Sequence, residues 1–129
     1  MPNWCSNTLT IETSEKDIEM LKRIIETTKF GEMFIPFNNI IYDDDNNDLW
    51  RIDNWGTKWD INDAYGSSFE NGYFQSSFET AWCPPIEAII KLGEVLRHSL
   101  IELIYEEENL ISNGSLIIKN NKIIENYEI

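Results

Sequence analysis

Four of the chain's five tryptophans stand in three short segments, Met1-Pro2-Asn3-Trp4-Cys5-Ser6-Asn7, Asn54-Trp55-Gly56-Thr57-Lys58-Trp59-Asp60 and Thr80-Ala81-Trp82-Cys83-Pro84-Pro85. Indole rings stack on bases and other planar groups, while a lysine or a helix N-terminus holds an anion. Asn3, Trp4, Asn54, Trp55, Lys58, Asp60 and Trp82 therefore form a candidate ligand pocket, with the Asn and Asp side chains supplying directional hydrogen bonds. The competing reading is structural: the indoles close one end of the core, and Lys58 and Asp60, two apart on one strand face, form a plain ion pair.

A second constellation is acidic. Asp43, Asp44, Asp45 and Asp48 crowd one loop, and Glu106, Glu107 and Glu108 follow Glu102 near the end of a strand. The loop lacks the sixth-position Gly and twelfth-position Glu of a calcium hand, so it reads as a solvated turn rather than a metal site. The glutamates read as charge that protects a sheet edge, and both clusters suit contact with a basic partner.

Nothing in the chain assembles a catalytic centre. His98, the only histidine, follows a helix, where a cation is favoured by the helix C-terminus. Cys5 and Cys83 lie in no Cys-x-x-Cys motif, and two cysteines cannot make a four-ligand zinc site. Walker, zincin and nucleophile-elbow motifs are missing, which predicts a protein without enzymatic activity, catalytic residues, metal or cofactor.

The elements that must position these residues follow from periodicity. Residues 5–13 alternate as a strand; a helix is predicted over 15–29 with Ser14 as its N-cap; residues 30–49 form an irregular packed segment. Strands are predicted at about 56–61 and 73–82, and a helix opens after Pro84-Pro85 with Gly93 allowing close approach to the sheet. A strand over 100–106 and a hairpin, 115–119 and 122–127 around Asn120-Asn121, complete the chain. The order β-α-β-β-α-β is a split βαβ, an α+β ferredoxin-like arrangement with a C-terminal hairpin extension, and residues 1–129 read as one such domain. Right-handed crossovers give the strand order fourth, first, third, second, which brings all three aromatic segments to one sheet end.

The three segments, in this order, resemble a YubB-like family of small phage and plasmid proteins with a ferredoxin-like domain. This chain departs from the family's pattern at Cys83, where serine is usual. The resemblance implies a fold and a mobile-element origin, and no specific activity.

Lys plus Arg number 10 against 23 Asp plus Glu, a formal charge of −13. Such a chain repels phosphates, so direct nucleic-acid binding is disfavoured, while basic surfaces attract it. No apolar stretch approaches a membrane span, and the chain does not open on a secretory leader, so the expected location is the host cytoplasm. The leading expectation is a viral counter-defence inhibitor of the anti-CRISPR type that occupies the basic nucleic-acid channel of a host defence protein. The alternative is a binder of small molecules such as a nucleotide signal, using the tryptophan end of the sheet.

Overall fold

The computed structural model describes residues 3–61, 63–108 and 113–128; Met1 and Pro2 of the opening aromatic segment lie outside them. β1 (Trp4–Glu12) alternates as its sequence requires. Cys5, Asn7, Leu9 and Ile11 are buried, while Trp4, Ser6, Thr8, Thr10 and Glu12 turn to the opposite face.

α1 (Ile18–Ile24) is shorter than the helix expected over 15–29. Ser14 does not cap it, because the Ser14 hydroxyl instead accepts from the Lys16 N–H at 3.2 Å in a local turn. Past the helix, Thr27 and Thr28 prefer extended backbone, and β2 (Glu26–Thr27) pairs with β3 (Met33–Phe34). Phe34, Ile35 and Phe37 then enter the core.

α2 (Asp48–Trp55) stands just before the place where a strand was expected at 56–61. The Asn47 carboxamide accepts from Leu49 N–H at 2.8 Å and Trp50 N–H at 3.4 Å, and Gly56, at φ 84°, ends the helix in the left-handed conformation. The strand itself comes later, as β4 (Tyr65–Glu70), joined to β5 (Tyr73–Ala81) through Asn71-Gly72. α3 (Ile86–Val95) follows the two prolines. A Cβ on its Gly93 would sit 2.9 Å from Ile118 Cγ2, so glycine is what lets α3 approach the sheet. β6 (Leu100–Glu107), β7 (Asn113–Lys119) and β8 (Lys122–Glu128) complete the chain, the last two joined through Asn120 and Asn121 at positive φ.

All strands of the main sheet pair antiparallel in the order β4-β5-β1-β6-β7-β8. Its β4-β5-β1-β6 portion is the expected four-strand order read from the other edge. The molecule is α+β with three helices among the described residues, and the simple split βαβ is corrected in two ways. The segment β2, β3 and α2 is inserted before the second core strand, and the terminal hairpin widens the sheet to six strands. Helices α1 and α3 and the segment around Phe37 share one core with Leu9, Ile11, Phe74, Phe78, Ile101, Leu103 and Leu116. That core lies on one face of the sheet.

Candidate functional site

The three aromatic segments do meet. β1 and β5 pair in a register that sets Trp4 opposite Ala81, Trp82 N–H donates to Asn3 O at 2.8 Å, and Thr57 Oγ1–H donates to Ala81 O at 2.9 Å. Gly56 packs so tightly here that a Cβ would fall 3.0 Å from Ile86 N.

Among the described residues, however, their side chains go to different places. Trp55 is buried, its Nε1–H donates to Ile41 O at 3.1 Å, and its ring packs against Phe37 and Trp50 at 5.8 and 5.7 Å. Because 56–61 is not a strand, Lys58 and Asp60 do not share a strand face. Asp60 turns inward and accepts from the N–H groups of Phe37, Asn38 and Ile61 at 2.7, 3.0 and 2.7 Å. Burial raises its pKa by more than these donors lower it. Lys58 instead approaches Asp48 at 3.6 Å and lies 5.4 Å over the Trp59 ring. Asn54 donates to Trp50 O at 2.8 Å, within its own helix. Trp82 is 47% exposed, and Trp4, half-buried, leans on Trp59 at 6.3 Å.

Of the candidate pocket residues, Trp4 lines a hollow of about 310 Å³ with Asp63, Tyr65 and Glu79. Sequence reasoning missed these three partners. Glu79 was accessible from alternation, since it stands two residues before Ala81, the partner of Trp4. Asp63 and Tyr65 were not, because the second core strand had been placed too early.

Burial disfavours the thiolate of both cysteines, Cys5 buried and Cys83 exposed. Burial pushes the Cys5 thiol up to about 12, and burial, with Glu107 nearby, raises Cys83 as well. Asn7 beside Cys5 donates to Cys5 O and Thr80 Oγ1, each at 3.0 Å, which satisfies a polar group inside the core. His98 is exposed, and its backbone N–H donates to Asp17 at 2.8 Å.

The acidic clusters separate. Asp43 binds Arg51 Nε at 2.6 Å and accepts from the N–H groups of Asp45 and Asn46 at 3.1 and 2.8 Å. Burial works to raise its pKa, but Arg51 and those donors outweigh it and hold the carboxyl low. Asp48 lies 3.7 Å from Arg51 and 3.6 Å from Lys58. Asp44 and Asp45 remain exposed. Glu107 pairs opposite Cys5 at the end of the covered face, and Glu108 donates its N–H to Trp4 O at 2.9 Å. Glu106 stands across from Ser6 on the uncovered face, together with residues the sequence had not grouped with it.

Strand pairing places Glu12, Glu70, Glu79, Glu102, Glu106 and Glu125 on that uncovered face. Lys119 and Lys122, at the turn joining β7 and β8, are the lysines that the same register brings to it. Ser6, Thr8, Thr10, Gln75 and Ser77 make much of its centre small and polar, with Thr8 and Ser77 hydroxyls 3.2 Å apart, and Ile104, half exposed, stands beside Thr8 on the neighbouring strand. It is a broad acidic surface on which Tyr65, Tyr73, Ile104 and Tyr127 are also exposed.

A family model described as the ferredoxin-like domain in Api92-like protein matches residues 54–129, from the end of α2 through β8. The chain belongs to this family. The crystal structure of the protein Api92 from Yersinia pseudotuberculosis superposes with a TM-score of 0.51 at 15% identity. The match covers 64% of this chain and 29% of that one, so the likeness shows the fold and this chain corresponds to under a third of the solved protein. No curated protein matches. The Api92-like family stands where the aromatic motifs had suggested a YubB-like one, and the ferredoxin-like domain is what the two readings share. Among the described residues no helix is long and apolar enough to cross a membrane.

Proposed function

We propose that this Api92-like domain is a non-enzymatic binding protein whose uncovered acidic sheet face docks a basic protein surface. One observation carries the proposal: six glutamates without an ion pair among the described residues share the open face, Glu12, Glu70, Glu79, Glu102, Glu106 and Glu125, whereas Asp43 and Asp48 of the acidic loop are already engaged with Arg51 and Lys58. An engaged carboxylate has little charge left to offer a partner. Glu79, Glu102 and Glu106, by contrast, make no ion pair among the described residues, and their potentials add over one surface.

The setting that fits this chemistry is a mobile-element product, made in the host cytoplasm, that blocks the basic nucleic-acid channel of a host defence effector as anti-CRISPR inhibitors do. It is supported by the net charge of −13, which opposes direct contact with nucleic acid, and by the resemblance of the aromatic motifs to phage and plasmid proteins. The high pKa of both thiols supports a binding role over a nucleophilic one.

Co-purification from host lysate tests the reading. Wild type should retain a basic protein that is released by salt and lost with Glu79→Lys/Glu102→Lys/Glu106→Lys, while Asp44→Lys/Asp45→Lys weakens retention less. Equal retention by wild type and the face variant would sink it.

The small-molecule reading keeps one specific support, the hollow beside Trp4. Its carboxylates Asp63 and Glu79 oppose a phosphate, and Lys58 is turned to Asp48, so the site suits a cation better than a nucleotide.

A further inference from the structure

The open face has two hollows that each set two carboxylates beside an aromatic ring. One, of about 310 Å³, lies between Trp4, Asp63, Tyr65 and Glu79 at one end of β1. The other, of about 250 Å³, is lined by Thr10, Glu12, Tyr73, Leu100, Glu102 and Ile117 toward the opposite end. Each combines aromatic surface with two carboxylates that make no ion pair among the described residues. Asp63 spends one oxygen on the Ala64 N–H at 2.9 Å and keeps the other.

Ring faces attract cations, and a carboxylate pairs with a guanidinium through two parallel hydrogen bonds. A planar guanidinium uses both features at once, stacking on the ring while its edge meets the acid, which a compact ammonium does less well. An anion would meet only repulsion. The spacing adds a further constraint. Trp4 and Thr10 are six positions apart on a strand that rises about 3.3 Å per residue, so the hollows stand roughly 20 Å apart. Between them Ser6, Thr8, Gln75 and Ser77 form a floor of mostly small and polar side chains, with the exposed Ile104 beside Thr8, on which another backbone can lie.

Resting on the reading above, we infer that the open face binds an extended segment of its basic partner and seats one arginine side chain in each hollow. In an extended peptide, residues i and i+6 point to the same side and are about 20 Å apart, which matches the two hollows. The second arginine then binds from a high local concentration.

Fluorescence anisotropy with short labelled Ser/Thr peptides tests this on the intact chain. A peptide with arginines at i and i+6 should bind about tenfold or more tighter than one with a single arginine, or with arginines at i and i+2. Citrulline, which keeps the shape and loses the charge, should abolish the gain. Asp63→Asn/Glu79→Gln and Glu12→Gln/Glu102→Gln should each reduce the i,i+6 peptide to single-arginine affinity. In amide and indole NMR spectra the Trp4 Nε1–H resonance should move on titration while that of buried Trp55 holds.

Equal binding of arginine and citrulline peptides, or insensitivity to spacing, would overturn the two-hollow inference. If spacing has no effect yet Glu79→Lys/Glu102→Lys/Glu106→Lys still abolishes capture of a basic protein, the hollows fall and the acidic-face reading stands. If neither arginine peptides nor a basic protein binds, both fall.

Discussion

The two faces of the central sheet are built from the same strands and obey opposite rules. On the covered face the buried polar side chains within β1 and β5 are matched: Asn7 donates to Cys5 O and Thr80 Oγ1, Ser76 donates to Met33 O at 2.7 Å, and Thr80 donates to Cys83 O at 2.7 Å. On the open face Glu79, Glu102 and Glu106 make no ion pair among the described residues, and Glu79 and Glu106 are exposed to solvent. The difference follows from desolvation, because a buried polar group without a partner costs about 1–3 kcal/mol, whereas an exposed carboxylate loses nothing by waiting. On the reading proposed above, the docking site for a basic partner is the face that the helices leave bare.

The sharpest test of that division compares two tryptophans that the sequence placed in one cluster. Trp55→Ala removes a ring buried against Phe37 and Trp50 and strands the Ile41 carbonyl. Its expected cost is about 3–5 kcal/mol in urea unfolding. Trp82→Ala, at a ring 47% exposed, should cost less than about 1 kcal/mol. Similar losses at both positions would break the distinction between packing and surface indoles.

That pair also shows what sequence patterning reached. Alternation in β1 and β5 and the antiparallel strand order were legible, and they carried Trp4, Trp55 and Trp82 to one end of the sheet. What patterning missed was local. Asn47 at an N-cap and Gly56 at a C-terminal left-handed position bracket α2, but the acidic run before it reads equally well as loop, and Trp55-Gly56-Thr57 reads as the start of a strand. Placing the strand there gave Asp60 a strand-face neighbour in Lys58. The folded chain instead turns Asp60 onto the backbone of Phe37 and Asn38 and sends Lys58 to Asp48. Acidity alone, likewise, did not separate Asp43, committed to Arg51, from Glu106, which is uncommitted; only the pairing register does that.

Asp60 offers a second way to sharpen the comparison, because it is a carboxylate on the covered side. Its folded pKa is raised above 3.8, with burial the leading cause. The protonated form is thus favoured by folding, so its contribution is greatest below the unfolded pKa and is lost as pH rises through the folded value. Wild type should lose stability relative to Asp60→Asn as pH climbs from 3.8 through that raised value. Asp60→Ala, which leaves the Phe37 and Asn38 N–H groups without their acceptor, should cost about 1–3 kcal/mol at neutral pH. A wild-type pH profile parallel to that of Asp60→Asn would remove the assignment.

The smallest effects belong to the open face and are expected to have the opposite sign. Glu102 lies next to Thr10, with Glu12 two positions on, and Glu79 and Glu106 flank Ser6 from the neighbouring strands, so like charges share one surface with Lys119 and Lys122 at its edge. Across strands such crowding is mildly destabilising and screened by salt. Glu79→Gln/Glu102→Gln/Glu106→Gln should accordingly fold as well as wild type or slightly better, with each substitution contributing within about 0.5 kcal/mol. Raising salt should increase the melting temperature of wild type more than that of the triple variant, since the variant has less repulsion left to screen. A triple variant that is clearly less stable would show these carboxylates to be structural partners, and the contrast between the two faces would lose its meaning; a stable variant that no longer retains a basic protein would locate the binding charge on the face the helices leave open.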